Sequence, residues 1–176
     1  SMFTGTNQYK ISDENKLIDA KKTSYIKKLP PYLIVQESRF DYDFKINERK
    51  KVFSRFEFPL ELDMKRLCCE ECNTSTQFTL NGVIVHMGSA QYGHYISYVK
   101  YNGVWYCFND DIVTEVSEET MKEAAFGKDD STYSQTGYLL FYFRDDVRDE
   151  EPKMSQKLLR TIESENMQHL TNMLFC

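Results

Sequence analysis

The sequence predicts an α+β fold built mainly on antiparallel sheet, with short helices and one helix at the C-terminal end. Three observations predict it. Aromatic residues make up 14% of the 176 residues, with 12 Tyr and 12 Phe, a bias that suits pleated strands better than helical bundles. Asn102-Gly103 lies between two runs rich in β-branched and aromatic residues, the strongest short hairpin signal. After Arg144 the composition turns charged, and Met154, Leu158, Ile162, Leu170 and Leu174 then recur at multiples of four, as on an amphipathic helix. The length is enough to bury a sizeable core. Residues 1–144 are expected to form the globular part, and residues 145–176 a charged linker followed by that helix.

Residues 1–23 are polar and read as a strand-and-turn region that lacks upstream partners. Residues 32–40 read as a strand whose alternation is disturbed by Gln36-Glu37-Ser38, and residues 41–52 as a hairpin with basic residues around its return. That basic run is expected to be a solvated surface, with contact to acidic substrate groups as the alternative. Cys69-Glu70-Glu71-Cys72 has ligand spacing but no second pair to complete the four ligands of a structural zinc. Residues 68–72 are therefore expected in an exposed loop. Residues 77–86 form a clear strand, and residues 88–93 a mobile loop before His94. Ser117 is placed to cap a short helix over residues 118–126, residues 127–136 form a polar loop, and residues 137–144 the last strand. The final helix is expected to pack against the parent domain, with a partner-binding or coiled-coil segment as the alternative.

The hairpin around Asn102-Gly103 fixes a register. A two-residue loop sets Tyr101 opposite Val104, so that Ile96 faces Asn109 and His94 faces Asp111. Side chains alternate, which puts His94, Ile96, Asn109 and Asp111 on one face. Asn109 lies diagonally from His94, at roughly 6–8 Å between β-carbons, within reach of a hydrogen bond. Asp110 points to the other face unless a bulge intervenes. Spacing leaves Asn109 and Asp111 both open as partners of His94. Such a partner matters because a histidine base must be held in one tautomer with its free nitrogen aimed at a nucleophile.

The surroundings of this pair are distinctive. Phe78-x-Leu80-x-Gly82-Val83-x-x-His86-x-Gly88, then Gly93-His94-Tyr95, resembles the histidine box of the ubiquitin-specific proteases, which are papain-like cysteine deubiquitinases. Further segments follow in order: Leu29-Pro30-Pro31-Tyr32-Leu33, Arg39-Phe40, Arg55-Phe56-Glu57-Phe58-Pro59, Trp105-x-x-Phe108-Asn109-Asp110 and Gly137-Tyr138-Leu139-Leu140-Phe141-Tyr142. The resemblance covers about residues 7–144. It implies a papain-like fold, cleavage of the (iso)peptide bond after the terminal glycine of ubiquitin, and no metal or organic cofactor. His94 would be the base, Asn109 its orienting residue, and Asp110 an oxyanion-stabilising or substitute orienting group. Tyr95, His86, Arg39, Phe40 and Gly93 would line the approach of the ubiquitin tail. The segment Gln36-Glu37-Ser38 departs from the family's usual pattern before Arg-Phe.

Two family features are missing. The nucleophile of such proteases lies in an upstream box resembling Gly-Asn-Thr-Cys-Tyr, and none of Cys68, Cys69, Cys72, Cys107 and Cys176 stands in that context. Cys107 faces Tyr98, roughly 13 Å along the strand from His94, too far for thiol activation. The chain is therefore expected to be the C-terminal portion of a catalytic domain and inactive alone. The zinc ribbon that many relatives carry before the Leu-Pro-Pro strand is also altered. The frame Asn7-x-Tyr9 and Ala20-x-Lys22 remains recognisable around it, while Lys10 and Asp13 occupy the cysteine positions.

Composition narrows the partners. A net charge of −5 gives no basic field for nucleic acid, and no apolar run is long enough to span a membrane. Five cysteines, an odd number, suit a reducing compartment, so cytoplasm or nucleus is expected. The expected partners are ubiquitin, ubiquitinated proteins and the N-terminal half of the same domain. Three functions compete at this point: a deubiquitinase portion, a catalytically inactive ubiquitin-binding module derived from one, and an unrelated β-rich interaction domain.

Overall fold

The computed structural model describes residues 1–12, 16–128, 135–147 and 154–174. At the N-terminal end four short strands pair with one another: β1 (Met2–Phe3) with β4 (Ala20–Lys21), and β2 (Tyr9–Ile11) with β3 (Lys16–Ile18). Lys10 lies in β2, and Asp13 falls outside the described residues.

The main sheet comprises β5 (Tyr32–Gln36), β8 (Glu61–Asp63), β9 (Gln77–Gly88), β10 (Gly93–Tyr101), β11 (Val104–Asn109), β12 (Ile112–Val116) and β13 (Thr136–Arg144). Its order is β12-β11-β10-β9-β13-β5, with β8 pairing the start of β9, and every pairing is antiparallel. A separate hairpin joins β6 (Phe40–Asp43) to β7 (Glu48–Lys51). The predicted strand over residues 32–40 is thus broken in two. The break comes where Arg39 N–H turns back to the Glu37 carbonyl at 2.8 Å.

One face of the sheet carries the core. Phe78, Leu80, Val83 and Val85 from β9, Ile96 and Tyr98 from β10, Trp105 from β11, and Leu140 and Tyr142 from β13 are all buried. Each such side chain contributes about 1.5–3 kcal/mol on leaving water. The buried apolar side chains of β9 shift from even to odd numbers because the register with β13 slips at Asn81. A second slip, at Tyr138, turns that side chain to the opposite face. The helix α1 (Glu118–Phe126) covers the core with Met121, Ala125 and Phe126. Ser117 caps it as expected, its hydroxyl accepting from Thr120 N–H at 3.1 Å, and Gly127 at φ +79° ends it.

Two expectations change. Residues 68–72 are only in part the exposed loop expected: Glu70 and Glu71 are exposed, while Cys69 N–H donates to the Ile26 carbonyl at 3.0 Å and the half-buried Cys68 and Cys72 pack against the core. The β9–β10 loop is shorter than residues 88–93, because Gly88 pairs with Gly93 and Ser89 N–H donates to the Tyr92 carbonyl at 2.9 Å. The helix α2 (Gln156–Leu174) leaves Leu158, Leu159, Met167, Leu170 and Met173 uncovered by the other described residues. Among the described residues no helix is long and apolar enough to cross a membrane.

Candidate active site

The Asn102-Gly103 turn has positive φ at both residues, 50° and 82°, which only such a pair adopts at little cost. It sets Tyr101 opposite Val104 and carries the register through to Ser97 opposite Phe108. His94 and Asn109 come together as this register requires: His94 Nε2 lies 2.6 Å from Asn109 Oδ1. An amide oxygen only accepts, so in the neutral ring this contact favours the proton on Nε2 and leaves the Nδ1 lone pair free. The hydrogen bond selects the tautomer that leaves a base free.

The choice between Asn109 and Asp111 is decided by a second turn. Asn109 pairs with Ile112, so Asp110 and Asp111 form the connection between β11 and β12. Asp110 takes φ +52°, which swings its carboxylate to the His94 side, 3.9 Å from Nε2. The alternation-based expectation that it points away is thereby corrected. At that distance it is a charge near the ring and not a hydrogen-bond partner. The His94 side chain is 41% exposed, open to an incoming group.

On the opposite face lies a cluster of four rings. His86 faces Tyr95 across the β9–β10 pair, with ring centroids 4.8 Å apart. Phe40 stands 5.1 Å from His86 and 5.6 Å from Tyr138, and Tyr138 stands 5.9 Å from Tyr95. Tyr95 is 51% exposed, while His86 is buried at 4%. Burial, and then the nearby Lys51 charge, push the His86 pKa below its ordinary value. Gly93 belongs to this packing, since a β-carbon there would overlap the His86 ring.

Arg39 is buried as well, at 3%. It donates to Glu37 Oε2 through Nε at 2.7 Å and to the Ser54 carbonyl through Nη1 at 2.7 Å. Burial raises the Glu37 pKa, and the Arg39 charge and hydrogen bond offset that only in part. The guanidinium is therefore committed to the fold below Phe40, and of this pair it is Phe40 that presents surface.

Two residues at the site carry no local sequence signal. Tyr138 joins the ring cluster only because of a bulge in β13. Lys51, read as part of a solvated basic run, is 3% exposed and donates to the carbonyls of His86 at 2.9 Å and Gly88 at 3.1 Å. The described cysteines stand elsewhere: Cys107 is paired with Tyr98, and Cys68, Cys69 and Cys72 lie by Ile26. Cys176 falls outside the described residues. Among those residues no group of three or more His, Cys, Asp or Glu side chains is placed to hold a metal ion.

A family model described as ubiquitin carboxyl-terminal hydrolase matches residues 2–142. The mouse ubiquitin carboxyl-terminal hydrolase 9X is 37% identical over 161 residues, covering 72% of this chain and 6% of the relative. The Schizosaccharomyces pombe ubiquitin carboxyl-terminal hydrolase 5 is 33% identical over 161 residues, covering 83% of this chain and 14% of the relative. A solved SAGA DUB module containing Ubp8 matches with a TM-score of 0.54 and 30% identity, over 68% of this chain and 25% of that one. The chain thus spans a small part of the length of the proteins it matches. With its antiparallel sheet, its histidine box and these matches, the chain belongs to the ubiquitin carboxyl-terminal hydrolase family, among the ubiquitin-specific proteases.

Proposed function

We propose that this chain supplies the histidine-bearing part of a cysteine-type deubiquitinase. The observation that carries the reading is the 2.6 Å contact between His94 Nε2 and Asn109 Oδ1 at the solvent-open end of the β10–β11 hairpin. A thiol brought to Nδ1 from outside these 176 residues gives up its proton to His94. The thiolate attacks the carbonyl of the terminal glycine of ubiquitin, and His94 returns the proton to the departing amine. Asn109 holds the ring through both transfers, and the Asp110 carboxylate stabilises the imidazolium formed between them. Tyr95 and Phe40 offer the exposed rings against which a narrow, glycine-ended tail packs, with His86 and Arg39 as their support.

The partners that follow are ubiquitin, ubiquitinated proteins and a cysteine-bearing segment of the same fold. A second reading, an inactive ubiquitin-binding module, draws on the placement of Cys107 opposite Tyr98 and of Cys68, Cys69 and Cys72 by Ile26. Retention of the hydrogen-bonded His94–Asn109 pair favours the enzyme.

One experiment separates them. In a protein that joins this chain to a cysteine-bearing segment, His94→Ala abolishes cleavage of a ubiquitin C-terminal amide while the Kd for ubiquitin stays within about threefold. Full activity in that variant would remove His94 from the mechanism. The 176 residues alone are expected to show no turnover. Turnover that survives Cys107→Ala but disappears with another cysteine would refute the external nucleophile.

A further inference from the structure

The strand β9 has two neighbours along most of its length, β10 on one edge and β13 on the other. Among the described residues the β13 ladder reaches the pair Thr136–His86, while β9 runs on to Gly88 and β10 follows it back from Gly93. Carbonyls two residues apart leave a strand on the same edge. His86 and Gly88 thus present their carbonyls on one edge of β9, immediately behind the turn that leads into His94.

Lys51 fills that place. It ends β7, opposite Phe40, and its ammonium donates to both carbonyls, at 2.9 and 3.1 Å. Phe40 packs its ring on His86 from the same hairpin. Farther out, Gln91 Nε2 donates to the Arg49 carbonyl at 3.3 Å, a second tie from β7 to the tip of the β9–β10 turn. Gly88 sits at φ +113°, a conformation that L side chains rarely adopt.

We propose that Lys51 is a positioning residue for His94: its ammonium binds the two carbonyls at the end of β9 and fixes the end of the hairpin on which the imidazole is carried. It touches neither substrate nor the reacting atoms, and it acts through the His86 and Gly88 carbonyls. A neutral aliphatic side chain there leaves two carbonyls without those bonds and frees the hairpin end to fray. His94 then spends less time in the geometry that meets Asn109. The catalytic consequence rests on the protease reading above, but the mechanical one does not.

The test has two arms. In the 176-residue chain, amide hydrogen exchange is compared for wild type, Lys51→Met and Lys51→Arg. The expected result is exchange at least about tenfold faster in Lys51→Met at residues 86–95. Amides of β11 and β12 should stay within about twofold, and Lys51→Arg should recover most of the loss. No change at residues 86–95, or an equal rise across β11 and β12, would overturn the proposal. If Lys51→Met does not fold, Lys51→Gln, which keeps one donor, is read by the same criterion.

In a protein that also carries the nucleophile, Lys51→Met is expected to lower kcat about tenfold or more with KM little changed. A rise in KM alone would overturn the positioning role. If wild type cleaves no ubiquitin amide, the protease reading fails and the exchange arm alone decides Lys51.

Discussion

Gly93 lies directly against the imidazole of His86, so that a β-carbon on Gly93 would overlap both His86 Nε2 and the Met87 carbonyl. The glycine before the candidate base is therefore required by the ring behind it, whatever passes in front. Gly93→Ala is expected to destabilise the chain by about 1–3 kcal/mol, as overpacking does. Urea denaturation measures this, and pairing it with His86→Ala, which removes the obstructing ring, should restore part of the loss. An additive double variant would separate the two residues.

The His94–Asn109 contact makes a prediction about acceptors. In an assembled enzyme, Asn109→Ala is expected to lower kcat/KM about 100-fold, because the tautomer and the ring orientation are both released. Asn109→Asp keeps an oxygen acceptor and should retain more activity than Asn109→Ala. Asp110→Asn removes only a charge 3.9 Å away and should cost less than either. A larger loss for Asp110→Asn than for Asn109→Ala would transfer the orienting role to Asp110.

The buried Glu37–Arg39 pair predicts an asymmetric response. Arg39→Met strands a carboxylate that is 7% exposed and should cost about 3–5 kcal/mol near neutral pH. Burial already raises the Glu37 pKa, so protonation on acidification should relieve part of that cost. The double variant Glu37→Gln/Arg39→Met should be more stable than Arg39→Met alone. Thermal unfolding at pH 7 and pH 5 checks both statements.

Two buried bases predict the pH dependence of stability. The folded pKa of His86 is below its ordinary 6.5, so below that value the unfolded chain binds the proton more readily. Stability should therefore fall on acidification through pH 6.5. The pKa of Lys51 is lowered from 10.5 to about 8, by burial first and by the Arg39 charge second. Between pH 8 and 10.5 the unfolded chain holds a proton that the folded chain has released, so stability should rise with pH across that window. The urea midpoint measured from pH 5 to 10.5 should lose its acid slope in His86→Phe and its alkaline slope in Lys51→Met. Unchanged slopes would reject the assignments.

Local patterns determined much of this protein from its sequence. Asn102-Gly103 fixed a hairpin, and period-two alternation put His94 and Asn109 on one face of it. Ser117 fixed the start of α1. These features rest on neighbouring residues and on turn chemistry, which a sequence displays directly. Tertiary structure decided the rest. The turn at Asp110 and Asp111 chose Asn109 as the hydrogen-bond partner. Slips at Asn81 and Tyr138 changed which residues face the core and brought Tyr138 to Phe40 and Tyr95. The break after Gln36 buried Arg39, and the docking of β7 turned Lys51 from a surface charge into a tie beneath the hairpin. Each of these depends on a segment distant in sequence arriving at a strand edge. A bulge or an edge contact leaves no periodic trace in the residues that make it, so only the assembled chain reveals it.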